Sequence, residues 1–189
     1  MNNSLEIVAG VDEAGRGPLA GPVVAAAVIL PAGHGISGID DSKKLSAARR
    51  EHLYTLICSQ ARVGVGIVSE AVIDEINILQ ATFSAMRSAI AQLTPVPALI
   101  LVDGNLQIPD CPFPQRAIVG GDATEESIAA ASIVAKVTRD RMMIEFHAQY
   151  PDYNFAKHKG YGTLEHRKAI QQFGLSPIHR KSFLKKLLS

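Results

Sequence analysis

The sequence predicts a mixed α/β protein, with a sheet opened by an antiparallel ribbon and continued by alternating strands and helices. Three observations predict it. Two apolar strand-like runs flank the turn-rich stretch Gly15–Pro22, short apolar strands alternate with a helical periodicity between Val63 and Val119, and one long helical stretch runs from Ala123 to about Tyr150. Elements in this order build a mixed sheet with helices packed on it.

The first strand, at residues 6–12, carries Ile7-Val8-Ala9-Gly10-Val11 and runs into Asp12. Val23–Leu30 is wholly apolar up to Pro31, as in a strand buried on both faces, and pairs with the first around the Gly15–Pro22 loop. After the polar loop Gly33–Lys44, Ser46 is placed to cap a helix bearing Leu53, Leu56 and Ile57. Val63, Val65 and Ile67 alternate with Gly64 and Gly66, the period of a strand. Leu79, Phe83, Met86, Ile90 and Leu93 recur at helical spacing until Pro95 and Pro97 stop them. Ala98–Val102 is then a short buried strand ending at Asp103-Gly104, and strand–helix–strand order calls for a parallel crossover. Arg116–Val119 is another, closed by Gly120-Gly121. In the long last helix, Ala129–Ser132 are small enough for close approach to the sheet, and Ile128, Ala131, Ala135, Met142 and Phe146 give an apolar face. Lys136 with Asp140, and Arg139 or Arg141, read as helix-surface pairs.

A chain of 189 residues without repeats or a linker tract is the size of a single domain, here residues 1–189. Its longest apolar run is far shorter than the ~20 residues that cross a bilayer, and Met1–Glu6 lacks the basic start of an export leader. Cys58 and Cys111 have no paired metal spacing and read as free thiols, so a cytoplasmic protein is expected. No coiled-coil pattern is present, and a monomer is expected. Charge is unevenly distributed: residues 1–151 hold 11 Lys and Arg against 16 Asp and Glu, whereas residues 152–189 hold 8 against 2. An acidic body with a basic C-terminal helical or loop segment at about 152–189 suits a polyanionic partner brought to metal-binding carboxylates. A solvated basic tail would give the same count.

Asp12-Glu13, Asp103 and Asp122 all fall at strand ends. Ligands collect in the crevice at the carboxyl ends of α/β strands. Four carboxylates meeting there repel one another unless cations lie between them. Oxygen-only donors favour Mg²⁺ over zinc, and a pair of such ions suits phosphodiester hydrolysis. Each acid also has a plainer explanation. Asp103-Gly104-Asn105 is a turn signal, and Asp122 with Glu125 could form a capping box. Asp12 and Glu13 cannot both face solvent from a central strand, because successive side chains point to opposite faces. Gly15-Arg16-Gly17 offers a tight turn that a ligand can approach, with one guanidinium for a phosphate.

Several segments, in order, resemble the type 2 ribonucleases H (ribonuclease HII): Gly10–Gly17, Asp41-Ser42-Lys43-Lys44-Leu45, Val102-Asp103-Gly104, Gly121-Asp122, Ile128–Arg141, His158–Thr163 and Pro177–Arg180. The resemblance implies a ribonuclease H-like fold with a central mixed five-stranded sheet flanked by helices. It implies an Mg²⁺- or Mn²⁺-dependent endonuclease, with two ions during catalysis. Such an enzyme cleaves the RNA strand of RNA–DNA hybrids, and duplex DNA containing single ribonucleotides on the 5′ side of the ribonucleotide at the junction, leaving 5′-phosphate and 3′-hydroxyl. By position, Asp12, Glu13, Asp103 and Asp122 match the catalytic, metal-holding acids. Gly15, Arg16 and Gly17 match the turn that reads the ribose 2′-hydroxyl, a group that backbone donors and acceptors can test without reading a base. Tyr161 matches the tyrosine that packs on the following deoxyribose. Lys43, Lys159 and Arg180, with Lys44, Lys157 and Lys181, are candidate phosphate contacts. His158 and His179 could touch phosphate or assist proton transfer, although neutral loop histidines are more common. No glutamine–aromatic clamp peptide is seen, so recruitment by a sliding clamp is not expected. The alternatives are a type 3 ribonuclease H, which usually bears an extra N-terminal domain, a small-molecule metal phosphohydrolase, and a non-catalytic hybrid-binding module.

Overall fold

The computed structural model describes residues 7–188, with side-chain surroundings through Leu184, so the N-terminal stretch that was read for a leader lies outside the described residues. Five strands form one sheet: β1 (Val8–Ala14), β2 (Val23–Ile29), β3 (Arg62–Val68), β4 (Leu99–Asp103) and β5 (Gln115–Ile118), in the order β3-β2-β1-β4-β5. β2 is antiparallel to both neighbours, and β1, β4 and β5 are parallel. The ribbon and the parallel crossover thus form as the pattern of apolar runs requires. β1 lies two residues later than expected because β2 keeps pairing with it through Asp12↔Ala26, Glu13↔Ala25 and Ala14↔Val24. Its pairing with β4 stops earlier, at Val11↔Val102. Asp12 therefore sits inside one ladder and at the end of the other.

Helix α1 (Ala47–Gln60) is capped by the Ser46 side chain, which accepts from the Arg49 N–H. The periodicity expected from Leu79 to Leu93 belongs to α3 (Ile78–Ile90), preceded by a separate helix α2 (Glu70–Ile76). Asn77 joins them at φ 67°, and its side chain accepts from the amides of Leu79 and Gln80. A seven-residue helix is too short to leave a clear period in sequence. The last long stretch is also divided. A single turn, α4 (Gly121–Thr124), is followed by α5 (Glu126–Gln149), with Glu125 extended at φ −119°, ψ 114° between them.

Two layers cover the sheet. Ala9, Val11, Ala25, Ala27, Ile100 and Val102 face α3 across one core, and Ala26 and Val28 face α1 and α5 across the other. α5 is buried from Ile128 through Ala135 and again at Val137, Arg139 and Met143, so it runs through the protein rather than along its surface. The basic segment folds into α6 (Phe155–His158), α7 (Leu164–Phe173) and α8 (Lys181–Leu188), after a 3₁₀ turn at Pro151–Tyr153. Tyr153, Phe155, Ile170, Ile178 and Leu184 close a third apolar cluster with Ala20 and Met143. Among the described residues, no helix is long and apolar enough to cross a membrane.

Candidate metal centre

Strand period and register assemble the acidic site. Asp12 and Asp103 follow the paired residues Val11 and Val102, so they project side by side from the sheet toward α5. Gly10 lies on that same face, where an added Cβ would come within 2.1 Å of the Ser127 carbonyl carbon. Glycine there lets the backbone of α5 rest directly on β1. The contact also brings the turn before α5, and with it Asp122, over the strand ends. The Asp122 N–H donates to Asp103 Oδ1 at 3.4 Å. Neither Asp122 nor Glu125 makes the capping box that their spacing allows.

Asp12, Asp103 and Asp122 each offer a carboxylate oxygen, and all three oxygens lie within 4.8 Å of one another. Asp12 and Asp122 are buried. Burial, followed by repulsion from Glu13 and Asp103, holds the Asp12 carboxyl well above the usual carboxylate range. Burial and then Asp122 raise Asp103. Glu13 leaves the strand on the opposite face and stays outside the three-oxygen cluster. Burial raises its carboxyl, and the Arg16 guanidinium, 3.4 Å away, partly opposes that. A crowded, largely desolvated oxygen-only set of this kind fits a hard divalent cation. Among the described residues, Lys43 supplies the one ammonium that reaches it, 3.1 Å from Asp122 Oδ2, although three quarters of its side chain remains exposed. Burial pulls Lys43 down, but the Asp122 carboxylate outweighs that and raises it.

Beyond Glu13 the chain turns at Gly15, with φ 99°. An added Cβ there would lie 2.1 Å from Arg139 Nε, so only glycine fits. Arg16 and Gly17 are exposed. A Cβ built on Gly17 meets a Tyr161 ring carbon at 3.8 Å, so the tyrosine stands directly beside the turn.

The chain matches the family model described as Ribonuclease HII over residues 9–186. It belongs to the ribonuclease HII family. A ribonuclease HII from Geobacter metallireducens is 60% identical over 183 residues, covering 96% of this chain and 85% of that protein. One from Acetivibrio thermocellus is 56% identical over 184 residues, covering 97% and 72%. Among solved structures, the ribonuclease H2 of Pyrococcus horikoshii superposes with a TM-score of 0.79 at 28% identity, over 95% of this chain and 96% of that one. The Archaeoglobus fulgidus ribonuclease HII, solved in complex with PCNA, gives 0.77 at 28% identity, over 92% and 93%. The chain is therefore a ribonuclease H, a divalent-metal-dependent endonuclease acting on RNA–DNA hybrids.

Two arginines in this ribonuclease HII do not do what their positions in sequence suggest. Arg180, expected at a phosphate, is fully buried. Its guanidinium donates to the carbonyls of Gly15, Arg16, Pro18 and Gly21, so it serves the turn and not the solvent face. Arg139, expected on the surface of its helix, is 1% exposed and donates to Ala20, Pro22 and Lys159. Burial lowers Arg180 to about 9 and Arg139 to about 10, so both remain charged at neutral pH. A signal was available for Arg139, which falls four residues after Ala135 on the apolar stripe of α5. None was available for Arg180, whose partners lie some 160 residues upstream. Arg141 does pair at the surface, with Glu51 at 2.5 Å, and Lys136 pairs with Asp140 at 2.8 Å.

Lys159 is half-buried, and its ammonium donates to the Ala156 carbonyl. His158, His166 and His179 are buried together. His158 and His166 stack at 4.4 Å, and the Nε2 atoms of His166 and His179 share a hydrogen bond of 3.0 Å. Burial pushes both His166 and His179 down to about 4. These histidines are neutral packing groups beneath the Tyr161 loop, out of reach of a phosphate at the surface.

Proposed function

We propose that the enzyme cuts duplex DNA containing a single ribonucleotide, as well as RNA–DNA hybrids, at the phosphate on the 5′ side of the ribonucleotide at the junction, leaving 5′-phosphate and 3′-hydroxyl ends. The observation that carries this is the adjacency of three converging aspartates to a glycine turn with an exposed tyrosine beside it. Asp12, Glu13, Asp103 and Asp122 hold Mg²⁺ or Mn²⁺, two ions during catalysis, with Asp12 and Asp103 central. When bound, such ions polarise the scissile phosphate and neutralise charge that builds on its oxygens.

Asp12, on the α5 face, and Glu13, on the α3 face, bracket the strand edge, which supports one carboxylate holding each side of the phosphate. The exposed amides of Arg16 and Gly17 test the 2′-hydroxyl, which both donates and accepts hydrogen bonds. Tyr161 lies against the next sugar, where an extra hydroxyl would be crowded or stripped of water, and so favours deoxyribose there. Lys43, exposed along most of its length, and Lys159 steady the backbone phosphates. A monomeric, cytoplasmic enzyme completes the proposal.

The test uses duplex DNA carrying one ribonucleotide, incubated with Mg²⁺ or Mn²⁺, with the cut position and end groups mapped. A single cut 5′ to the ribonucleotide is expected, and a cut elsewhere would overturn the junction assignment. Asp12→Asn should abolish turnover with fold and hybrid binding kept; wild-type turnover in that variant would sink the metal assignment.

A further inference from the structure

We propose that Arg180, assisted by Arg139, is a positioning residue that sets the ribose-reading face of the Gly15–Pro22 turn and couples it to Tyr161. Arg180 donates from Nε to Gly21 O at 2.9 Å, from Nη1 to Arg16 O at 3.1 Å and Pro18 O at 2.9 Å, and from Nη2 to Gly15 O at 2.6 Å. Its backbone N–H donates to Leu19 O at 2.8 Å. Arg139 takes Pro22 O at 2.9 Å and Ala20 O at 3.0 Å. Every carbonyl from Gly15 to Pro22 except that of Gly17 is thereby held by one of these two residues.

The direction of these bonds matters. In a trans peptide, the carbonyl of one residue and the N–H of the next point opposite ways. Drawing the Gly15 and Arg16 carbonyls inward to Arg180 turns the Arg16 and Gly17 N–H groups outward, on the two residues of the turn that are exposed. The result is a pair of fixed donors facing the position where a sugar hydroxyl would be tested. The same set reaches the tyrosine loop. Arg139 Nη1 donates to Lys159 O at 3.0 Å, and the Leu19 N–H donates to Gly160 O at 2.8 Å. Lysine cannot replace Arg180 here, because a point ammonium lacks the planar fork that spans four carbonyls.

The inference rests on Gly15-Arg16-Gly17 being the ribose sensor, so the experiment separates the two ideas. Affinity is measured for duplex DNA with one ribonucleotide and for the same duplex in all-DNA form, with kcat and KM on the former. Arg180→Lys is compared with Gly17→Ala, whose added methyl meets nothing closer than the Tyr161 ring and leaves the free fold intact. In Arg180→Lys the preference for the ribonucleotide duplex should fall about tenfold or more, while affinity for all-DNA duplex shifts by less than about twofold. A loss of folded fraction alone would scale both affinities together and leave KM unchanged. If Gly17→Ala loses the preference and folded Arg180→Lys keeps it, the arginine proposal fails and the sensor stands. If both keep it, the sensor assignment has failed. Should Arg180→Lys not fold, Arg139→Lys takes its place under the same readouts, since Arg139 holds the Ala20 and Pro22 carbonyls of the same turn, and an unchanged ribonucleotide preference in that folded variant would overturn the proposal.

Discussion

Replacing Asp12 with asparagine should make the protein more stable in chelator while destroying its response to metal. Asp12 is 5% exposed and has two neighbouring carboxylates with oxygens within 4.8 Å. At 4.8 Å and an effective dielectric of about 20, one such pair repels by about 3.5 kcal/mol. Solvent at half-exposed Asp103, and the Lys43 ammonium 3.1 Å from Asp122, offset much of the two-pair total. Relief of about 2 kcal/mol corresponds to a rise of about 4–8 °C in Tm for a chain of this size. Asparagine keeps an oxygen for the Glu13 N–H, which now donates to Asp12 Oδ1 at 2.7 Å, so no hydrogen bond need be lost. The effect has a pH signature. From about pH 4 upward the unfolded carboxyl releases its proton, while the folded one, held well above the usual range, retains it. Wild-type stability in EDTA therefore falls as pH rises through that window, and the gap to Asp12→Asn widens until the folded group ionises. With Mn²⁺ at ten times its dissociation constant, the wild type gains about 1.4 kcal/mol and the variant much less. Thermal melts at pH 5 and pH 8, with EDTA and with Mn²⁺, measure all of this. An Asp12→Asn protein no more stable than wild type in EDTA, or equally stabilised by metal, would refute the electrostatic account.

Other outcomes are expected. Gly10→Ala should destabilise by more than about 3 kcal/mol in urea denaturation, because its Cβ would strike the α5 backbone, which no side-chain rotation relieves. Tyr161→Ala, at a 45% exposed position, should leave urea stability within about 0.5 kcal/mol yet reduce cleavage at the junction about tenfold or more in mapped digests. His166 and His179, lowered to about 4 in the folded protein, should cost stability as pH falls from 6.5, where unfolded histidines begin to take up protons that the folded ones refuse. At pH 5 that amounts to about 2 kcal/mol for each histidine that behaves independently, and NMR titration should show neither imidazole protonating above pH 5. Lys43→Ala should weaken binding to all duplexes alike and lower the slope of affinity against salt by about one ion.

The sheet was legible because its strands are apolar runs bounded by glycine and proline, and the acids stood out because apolar strands seldom end in them. The convergence of Asp12 and Asp103 follows from strand parity and register alone. What stayed hidden depends on long-range partners. The seven residues of α2 are too few to show a period, and no proline or glycine at Glu125 announces the break there, beside a turn whose Asp122 N–H donates to Asp103 at the end of β4. Arg180 looks like a surface charge beside Lys181 until its carbonyl partners are known. Lys43 was expected at a phosphate, and its proximity to Asp122 depends on how the loop before α1 folds back over the sheet.

The bonds from Arg180 to the turn span 159 to 165 residues of sequence, among the longest separations between described residues. On a ribosome, the strands bearing Asp12 and Asp103 and the helix following Asp122 all emerge before Arg180 does. A contact that spans so much of the chain also has loop closure set against it before it can form, so it belongs late in folding. The carboxylate cluster can thus be in place on a chain whose turn is still unfastened. On the proposed role of the turn, sugar discrimination is then acquired after the metal cluster, because it waits on an arginine some 160 residues downstream of the carbonyls it fastens.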